Sequence, residues 1–418
     1  MIPLPLAEVE PLGALRAESW AEEVTGVETD SRRIAEGDLF VAVNEAARDF
    51  VSHAFARGAA AALVPDDAFA ALAALGGAVR ARSSAQVVAV TGSVGKTSTK
   101  DMLAALCAPH ARTVASEGNY NNEIGVPLTL CRLEADTEVC VVEMGMRGLG
   151  QIDWLCSFAR PEIGVITSVG PVHLELVGTV ERVAEAKAEI LRCVRVGVVP
   201  DEPLLAPFLP DGIELRRFAD EDVLAVDGNR VRLRIGGREL ALEVPFTARH
   251  QARNLLAALH AYDALALPLE RAQAGAAAIE LSRLRGEELE LPGGGLLIND
   301  CYNASPISMR AALAHLVERA AGRRSVAVLG DMAELGETAP AYHREVGEAA
   351  AELGVGQLVA IGELARGYLD GAAGVPARWA PTLEEGLAAV RETLRPGDVV
   401  LVKGSRAIGL EAVAENIV

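Results

Sequence analysis

Two spacings of hydrophobic residues recur along the 418-residue chain. Short apolar runs bounded by turn residues, such as AQVVAVTG at 85–92 and VCVVEMG at 139–145, have the pattern of strands buried in a parallel sheet. Between these runs, apolar residues return every three or four positions, as they do in amphipathic helices. Because the two patterns alternate, the sequence predicts an α/β fold.

The alternation falls into three predicted domains, the number expected for this length at about 150 residues per domain. A small α/β domain occupies 1–83, a central P-loop mononucleotide-binding α/β domain occupies 84–286, and a Rossmann-like α/β domain occupies 287–418. Late in the central domain, DGNRVRLRIGGRELALEVP at 227–245 alternates polar and apolar residues and turns at glycines. That segment predicts inserted antiparallel hairpins.

Composition and charge argue against several classes of function. The net charge of −19 argues against nucleic-acid binding and attraction to anionic membranes, both of which use basic patches. The chain opens without the basic segment of a signal peptide, and no run of 18 apolar residues predicts a membrane span. The six cysteines include no Cys-x-x-Cys pair, which is typical of a reducing compartment. We therefore expect a cytoplasmic protein without membrane insertion.

The segment TGSVGKTST at 91–99 carries the clearest chemical signal. A predicted strand ends in a glycine turn and continues into a helix, so backbone amides and the helix dipole converge on a phosphate position. In such a loop Lys96 would contact the β- and γ-phosphates, and Thr97 would coordinate Mg²⁺. The longer form of the motif has glycine where this chain has Val90, so the loop is a shortened one. The predicted phosphate-binding residues are Gly92, Ser93, Val94, Gly95, Lys96, Thr97 and Ser98.

Two further residues are candidate metal ligands. Glu143 ends the run CVVE and His173 follows the run IGVITSVG, so both come just after predicted strands of the sheet that carries the phosphate loop. The carboxyl ends of parallel strands meet at one edge, where α/β proteins bind ligands. Taken singly, such a glutamate is also typical of a surface position and such a histidine of a structural one. Their shared placement with Thr97 favours a metal site.

Lys187 is unusual because only four of the thirty-nine basic residues are lysine. Helical spacing puts it on the apolar face of TVERVAEAKAEILRCV at 179–194, with no carboxylate three or four residues away. Burial lowers the pKa of a lysine, and a neutral amine can react with CO₂ to give a carbamate, an anionic ligand for a second Mg²⁺. The pattern is equally compatible with a lysine that extends its amine to solvent.

Several motifs, in one order over nearly the whole chain, resemble those of the Mur ligase family of ATP-dependent amide ligases. The motifs are TDSRRIAEGDLFVAV at 29–43, the phosphate loop, EGNYNNEIGVPLTL at 117–130, VVEMGM at 141–146, PVHLELVGTVERVAEAKAEI at 171–190, NDCYNASPISMRAAL at 299–313, VLGDMAELGE at 328–337 and VLVKGSRAIGLE at 400–411. Those at 299–313 and 328–337 are the most specific, and they resemble the branch that adds D-alanyl-D-alanine to UDP-N-acetylmuramoyl-tripeptide.

The resemblance implies a reaction of peptidoglycan precursor synthesis. ATP would phosphorylate the terminal carboxylate of the tripeptide, and the amine of D-alanyl-D-alanine would then displace phosphate. The resemblance implies a monomer and a first domain that binds the UDP substrate. It also implies roles for particular residues. These are catalysis by Lys96, His173 and Lys187; two Mg²⁺ ions on Thr97, Glu143, His173 and carbamylated Lys187; further ATP contacts from Asn254, Arg285, Asp300, Tyr302 and Asn303; and UDP-substrate contacts from Ser31, Arg32, Asn119, Asn121 and Asn122.

Some positions depart from the family pattern. Asn299 and Ser305 stand where the family usually has aspartate and asparagine, and RDFVSH at 48–53 replaces an Asp-Gly-His sequence, which bears on the UDP-sugar contacts. One alternative is a sister ligase that adds a single amino acid, or a folylpolyglutamate-type ligase; the Asp-Asn-Pro-Arg motif of the diaminopimelate branch does not occur. Another is a P-loop kinase or nucleotide switch, which usually keeps the glycine that Val90 replaces.

Overall fold

The computed structural model describes residues 1–417. The amino-terminal unit consists of β1 (Leu4–Pro5), α1 (Leu6–Val9), β2 (Ala14–Ala17), β3 (Glu23–Val24), β4 (Gly26–Glu28), β5 (Asp38–Val41), α2 (Val51–Ala56), β6 (Ala61–Val64) and α3 (Ala68–Arg82). Its main sheet has the order β2-β6-β5-β4, in which β2 is antiparallel and the other pairs are parallel. The two short strands β1 and β3 pair separately.

The central unit is built on six parallel strands. Its main elements are β7 (Gln86–Thr91), α4 (Lys96–Cys107), β8 (Thr113–Ala115), α5 (Gly125–Leu130), β9 (Val139–Glu143), α6 (Gln151–Ala159), β10 (Ile163–Ile166), α7 (Leu174–Val177), α8 (Val180–Ala188), β11 (Val196–Pro200), β12 (Glu214–Phe218), α9 (Arg249–Ala264) and α10 (Ala272–Ala277). The order is β12-β11-β10-β7-β9-β8. Because helices cover both faces, consecutive residues of β7 are buried, which explains its uninterrupted apolar run.

The predicted hairpins form a separate antiparallel sheet in the central unit. Its strands are β13 (Val223–Asp227), β14 (Arg230–Ile235) and β15 (Arg238–Glu243), in that order. Along β14 every second residue is buried, because one face packs against α9 and the other meets solvent.

The carboxy-terminal unit has a second six-stranded sheet. Its elements are β16 (Glu287–Leu291), β17 (Gly295–Asn299), α11 (Pro306–Ala320), β18 (Ser325–Gly330), α12 (Ala339–Glu352), β19 (Gln357–Ile361), α13 (Gly367–Gly371), β20 (Ala377–Ala380), α14 (Leu383–Thr393), β21 (Val399–Lys403) and α15 (Glu411–Ile417). The order is β16-β17-β21-β18-β19-β20, with only the edge strand β16 antiparallel. Strands β18 and β21 are neighbours, so the loops that follow them leave the sheet side by side.

The central unit contacts both of the other units directly. Helix α3 packs on α5 and α6, and its Arg80 donates to the Ala159 carbonyl at 3.1 Å and to Glu162 at 2.7 Å. At the other junction, the Thr247 hydroxyl donates to Glu288 at 2.8 Å, and the Glu175 amide donates to the Glu334 carbonyl at 3.3 Å. The central unit is therefore tied to both of its neighbours.

The predicted α/β fold with three units is confirmed, and the limits 83/84 and 286/287 fall between the sheets, so we keep them as proposed domain limits. One prediction was wrong in extent. The helix drawn over 179–194 ends at Ala188, and a tighter 3₁₀ turn, Glu189–Arg192, continues it. In 1–417 no helix has the length and apolar character to cross a membrane.

Candidate active site

All three units line one large cavity of about 1550 Å³. Phe69 enters it from the amino-terminal unit, the phosphate loop from the central unit, and Asp300 from the carboxy-terminal unit. Most of the sequence-predicted site residues lie on its walls. These are Ser93, Val94, Gly95, Lys96, Thr97, Ser98, Asn119, Asn121, Asn122, Glu143, His173, Lys187, Asn254, Arg285, Asp300, Tyr302 and Asn303.

The phosphate loop requires glycine at two positions. Gly92 has φ 148° and Gly95 has φ 85°, a region that side chains disfavour. A Cβ atom at Gly92 would lie 1.9 Å from the Thr167 hydroxyl oxygen, and one at Gly95 would lie 2.3 Å from Asn254 Oδ1. The backbone can therefore pass this close to its neighbours only without side chains.

Part of the loop is held by the segment that follows β10. The Ser93 amide donates to the Ser168 carbonyl at 2.9 Å, and the Val94 amide donates to Ser168 Oγ at 2.9 Å. Both amides thus bind protein in this structure. Lys96 Nζ donates to the Gly92 carbonyl at 2.8 Å, and burial, opposed by Glu143, lowers its pKa. Phosphate contacts would come from Lys96 and from the first turn of α4, where Thr97 lies.

Glu143 offers an oxygen ligand with no protein partner. Its side chain is buried at the end of β9, where Asn121 Nδ2 donates to Oε1 at 2.7 Å. Across the described chain, Oε2 is buried and accepts no hydrogen bond. A buried carboxylate oxygen needs a partner, and a cation in the cavity would supply one.

Lys187 is also buried and unpaired. The residue is 2% exposed, and within residues 1–417 its amine forms no ion pair with a carboxylate. Burial, with a smaller contribution from Lys96, lowers its pKa well below 10.5. The solvent-extended alternative does not describe this lysine, because the amine lies at the cavity wall rather than at the surface. These are the conditions under which an amine is neutral and can form a carbamate.

His173 is held by a carboxylate of the neighbouring unit. It occupies the left-handed region (φ 55°) at the N-cap of α7, and its Nδ1 contacts Glu334, which is itself left-handed (φ 62°). Burial, opposed by Glu334, lowers the pKa of His173. A neutral imidazole fixed at Nδ1 leaves Nε2 for a metal, the arrangement that oriented histidine ligands have.

A divalent metal fits this set of donors. Among the residues described, no group of three or more His, Cys, Asp or Glu side chains is arranged to hold an ion. The candidate set has only two side chains of these four types. It combines Glu143 and His173 with the Thr97 hydroxyl and, as a carbamate, Lys187. Hydroxyl and carboxylate oxygens with water are what Mg²⁺ takes.

The other expected nucleotide residues also line the cavity, and Asn254 lies beside Gly95 of the phosphate loop. The Arg285 guanidinium lies 4.2 Å from the Tyr302 ring centroid, a stacked cation–π contact. Asp300 pairs with Lys403 at 2.8 Å, and Lys403 also donates to the Asn303 carbonyl at 2.8 Å. The negative charge of Asp300 is therefore matched before any ligand binds.

The residues expected to contact the UDP substrate divide into two groups. Asn119, Asn121 and Asn122 line the cavity. Ser31 and Arg32 lie outside its lining: the Ser31 hydroxyl is 2.9 Å from His53 Nδ1, and Arg32 pairs with Asp30 at 2.7 Å. Their role stays a prediction.

Sequence reasoning assigned no role to Glu334 or Arg147. Glu334 lies in the quoted motif VLGDMAELGE, but its contact with His173 depends on how two units meet. Arg147 follows β9, and its guanidinium lies 3.9 Å from Glu334 Oε1.

A parallel α/β sheet with a glycine loop opening a helix at its carboxyl edge defines a P-loop nucleotide-binding protein. Family models agree in more detail: residues 90–262 match the Mur ligase middle domain, and residues 285–406 match the Mur ligase glutamate ligase domain. The chain belongs to the Mur ligase family.

Individual relatives cover nearly the whole chain. UDP-N-acetylmuramoyl-tripeptide--D-alanyl-D-alanine ligase of Bacillus subtilis (strain 168) is 33% identical, over 94% of this chain and 93% of the relative. The crystal structure of MurF from Acinetobacter baumannii is similar with a TM-score of 0.87 at 28% identity, covering 99% of this chain and 98% of that one. The crystal structure of MurF ligase from Thermotoga maritima in complex with ADP is similar with a TM-score of 0.80 at 26% identity. That similarity covers 93% of this chain and 96% of the other.

Proposed function

We propose that this ligase joins D-alanyl-D-alanine to UDP-N-acetylmuramoyl-tripeptide at the expense of ATP, in peptidoglycan precursor synthesis. The observation that carries the proposal is the single cavity lined by all three units. A reaction that unites a nucleotide-linked acid, ATP and an amine needs three binding regions that converge on one point. The relatives named for this activity support the same substrates. The proposal includes a cytoplasmic monomer, as the sequence predicts.

The reaction would proceed in two steps. The terminal carboxylate oxygen of the tripeptide attacks the γ-phosphorus of ATP, which forms an acyl phosphate and releases ADP. The amine of D-alanyl-D-alanine then attacks the acyl carbon, loses a proton, and expels phosphate as the amide forms. Neither step needs a covalent bond to the protein, so the protein contributes position and charge.

The residues around the cavity have distinct tasks in this scheme. Lys96 places a positive charge at the transferring phosphoryl group, and the first turn of α4 directs amides to the same place. Thr97, Glu143, His173 and carbamylated Lys187 would hold two Mg²⁺ ions. When bound, Mg²⁺ neutralises phosphate charge. Arg285 and Tyr302, stacked together at the cavity, would offer a flat surface to the nucleotide.

The carbamate fits the electrostatics of the site. While Lys187 is an amine, its burial and, to a lesser degree, the positive charge of nearby Lys96 lower its pKa. As a carbamate it carries negative charge, so the same proximity becomes favourable and a metal gains a ligand. We infer that the modification converts an unpaired buried base into part of the metal site.

Omission assays test the function. Purified protein is mixed with ATP, Mg²⁺, UDP-N-acetylmuramoyl-tripeptide and D-alanyl-D-alanine, and phosphate release is followed with each component left out in turn. We expect release to need all four, with one ligated product formed per phosphate. Faster release with D-glutamate, L-lysine or meso-diaminopimelate on a UDP-N-acetylmuramoyl-dipeptide would contradict the proposed substrates.

A further inference from the structure

Two cationic side chains, Lys403 and Arg406, lie at the carboxyl edge of the carboxy-terminal sheet, and one of them already bonds to protein groups. Lys403 ends β21 with a side chain that is only 3% exposed. It pairs with Asp300 at 2.8 Å and donates to the Asn303 carbonyl at 2.8 Å. A lysine has three donors, so little capacity remains for a ligand. Lys403 therefore fixes the loop after β17 rather than binding substrate.

Arg406, three residues further along, has capacity to spare. Its side chain is 54% exposed and lines the same cavity. Its only ion pair within the described chain is with Glu411 Oε1, at 3.3 Å. A guanidinium carries five donors in a planar fork that matches a carboxylate. One carboxylate at this distance leaves donors that can face the cavity.

The backbone connects Arg406 to the proposed reaction centre. The Ala333 amide donates to Ser405 Oγ at 2.9 Å, and the Ser405 amide donates to the Asp331 carbonyl at 3.0 Å. These bonds join the loop after β21 to the loop after β18. The residue next to Ala333 is Glu334, which contacts His173. Arg406 is thus carried on a loop that is braced against the one reaching the metal ligands.

We propose that Arg406 binds the terminal carboxylate of the incoming D-alanyl-D-alanine and is a specificity-determining residue for a dipeptide. The inference rests on the proposed function. A dipeptide spans about 7 Å when extended, so its carboxylate can be held on this loop while its amine points to the reaction centre. In a single amino acid the carboxylate lies next to the amine, so the molecule cannot reach Arg406 and the reaction centre at once.

Other arginines of the cavity are less suited to this role. Arg253 donates to the Thr167 carbonyl at 3.0 Å, and Arg285 is stacked on Tyr302. Arg147 is exposed, but it belongs to the central unit and faces Glu334. Arg249 donates to the Asp220 and Val223 carbonyls, at 3.0 Å and 2.7 Å, which leaves Arg147 as the competitor that the experiment includes.

The test compares D-alanyl-D-alanine with its C-terminal amide, which lacks the negative charge. Phosphate release by the wild type, Arg406→Gln and Arg147→Gln is measured with the amine varied at saturating ATP and UDP-N-acetylmuramoyl-tripeptide, and then with ATP varied at saturating amine. We expect the wild type to favour the acid by at least about tenfold in kcat/KM, on the scale of one charged hydrogen bond. Arg406→Gln should lose most of this preference, through a higher KM for the acid, while the KM for ATP stays within about twofold.

Two control variants separate binding from folding. Glu411→Gln removes the ion-pair partner and keeps Arg406, so the preference for the acid should survive. Arg378→Gln removes a surface arginine of the same unit that pairs with Glu392 at 2.7 Å, and it should behave as wild type. An undiminished preference in Arg406→Gln, or its loss in Arg147→Gln instead, would overturn the assignment while leaving the proposed function intact. A wild type that is inactive with both amines would overturn the proposed function, and this inference with it.

Discussion

The Glu334 carboxylate bonds to the His173 imidazole across the junction of two units. Both residues adopt left-handed backbone conformations, which cost free energy for residues other than glycine. Strain of this kind is retained where the surrounding structure holds a functional geometry. The contact orients a proposed metal ligand only when the carboxy-terminal unit is in place, so it links closure of the cavity to assembly of the site.

Glu334→Gln should weaken the metal site. A glutamine at this position has no negative charge to attract Nδ1 of His173. Loss of such an orienting partner typically lowers metal affinity or activity 10- to 100-fold. The Mg²⁺ concentration that gives half-maximal phosphate release should rise by about that factor. Glu337→Gln, an exposed neighbour in the same loop, is the matched control. An unchanged Mg²⁺ dependence in Glu334→Gln would remove this role.

Lys187→Arg and Lys187→Ala should both abolish turnover while the protein remains folded. Arginine keeps the charge but cannot form a carbamate, because it stays protonated. Wild-type activity should fall in CO₂-depleted buffer and recover with bicarbonate. Retention of near-wild-type activity by Lys187→Arg would exclude the carbamate.

Lys187 should also destabilise the unmodified protein. Its folded pKa lies below the value of an exposed lysine, so folding at pH 7 must release a proton or bury a charge. In CO₂-free buffer, Lys187→Met should therefore raise the free energy of unfolding, by at least about 1 kcal/mol. The gain should shrink as the pH rises toward 10.5 and vanish above it, where the unfolded lysine is neutral as well. A less stable Lys187→Met protein at pH 7 would argue against an unpaired amine.

Lys96→Ala should reduce kcat by at least about 10²-fold, the scale of losing one preorganised charge at the transferring group. The effect should fall on kcat more than on the KM for the amine, because Lys96 lies on the phosphate loop. Phosphate release measured with the amine varied, at saturating ATP and UDP-N-acetylmuramoyl-tripeptide, gives both constants. A loss confined to the KM for D-alanyl-D-alanine would place Lys96 elsewhere in the mechanism.

Glu288 should make the junction of the central and carboxy-terminal units sensitive to acid. Burial would raise its pKa, but hydrogen bonds from His315, Arg319 and Thr247 lower it below the usual 4.5. A depressed carboxyl pKa stabilises the folded state above about pH 4.5, and the contribution is lost as the pH falls through the folded value.

Glu288→Gln should therefore cost about 1–3 kcal/mol of unfolding free energy at pH 7. The difference in unfolding free energy between Glu288→Gln and the wild type should disappear in acid. Urea unfolding at a series of pH values measures this, with Glu290→Gln, an exposed carboxylate of the same strand, as control. A gap that stays constant from pH 7 to pH 3 would show that charge is not involved.

The sequence predicted those parts of the site that are local in the chain. Strand β7, its glycine turn and Lys96 follow one another directly, so their pattern is sufficient. The apolar helical face predicts that Lys187 is buried. This prediction holds although the helix ends at Ala188, because the 3₁₀ turn that follows keeps Ile190 buried as well.

Contacts between distant parts of the chain were not accessible in this way. The local pattern of VLVKGSRAIGLE does not show that Lys403 pairs with Asp300. It also does not show that Arg406 pairs with Glu411 instead. The Ser168 contacts that occupy two amides of the phosphate loop depend on β10 lying beside β7. Such relationships come from strand order and from how the units meet, which the local pattern does not encode.

Transfer of oxygen from substrate to phosphate tests the central claim most directly. UDP-N-acetylmuramoyl-tripeptide labelled with ¹⁸O in its terminal carboxylate is turned over with ATP and D-alanyl-D-alanine, and the phosphate and the ligated product are analysed by mass spectrometry. An acyl phosphate passes one carboxylate oxygen to phosphorus, so each phosphate should carry one ¹⁸O and each new amide should keep the other. Ligated product accompanied by unlabelled phosphate, or phosphate release without product, would contradict this account.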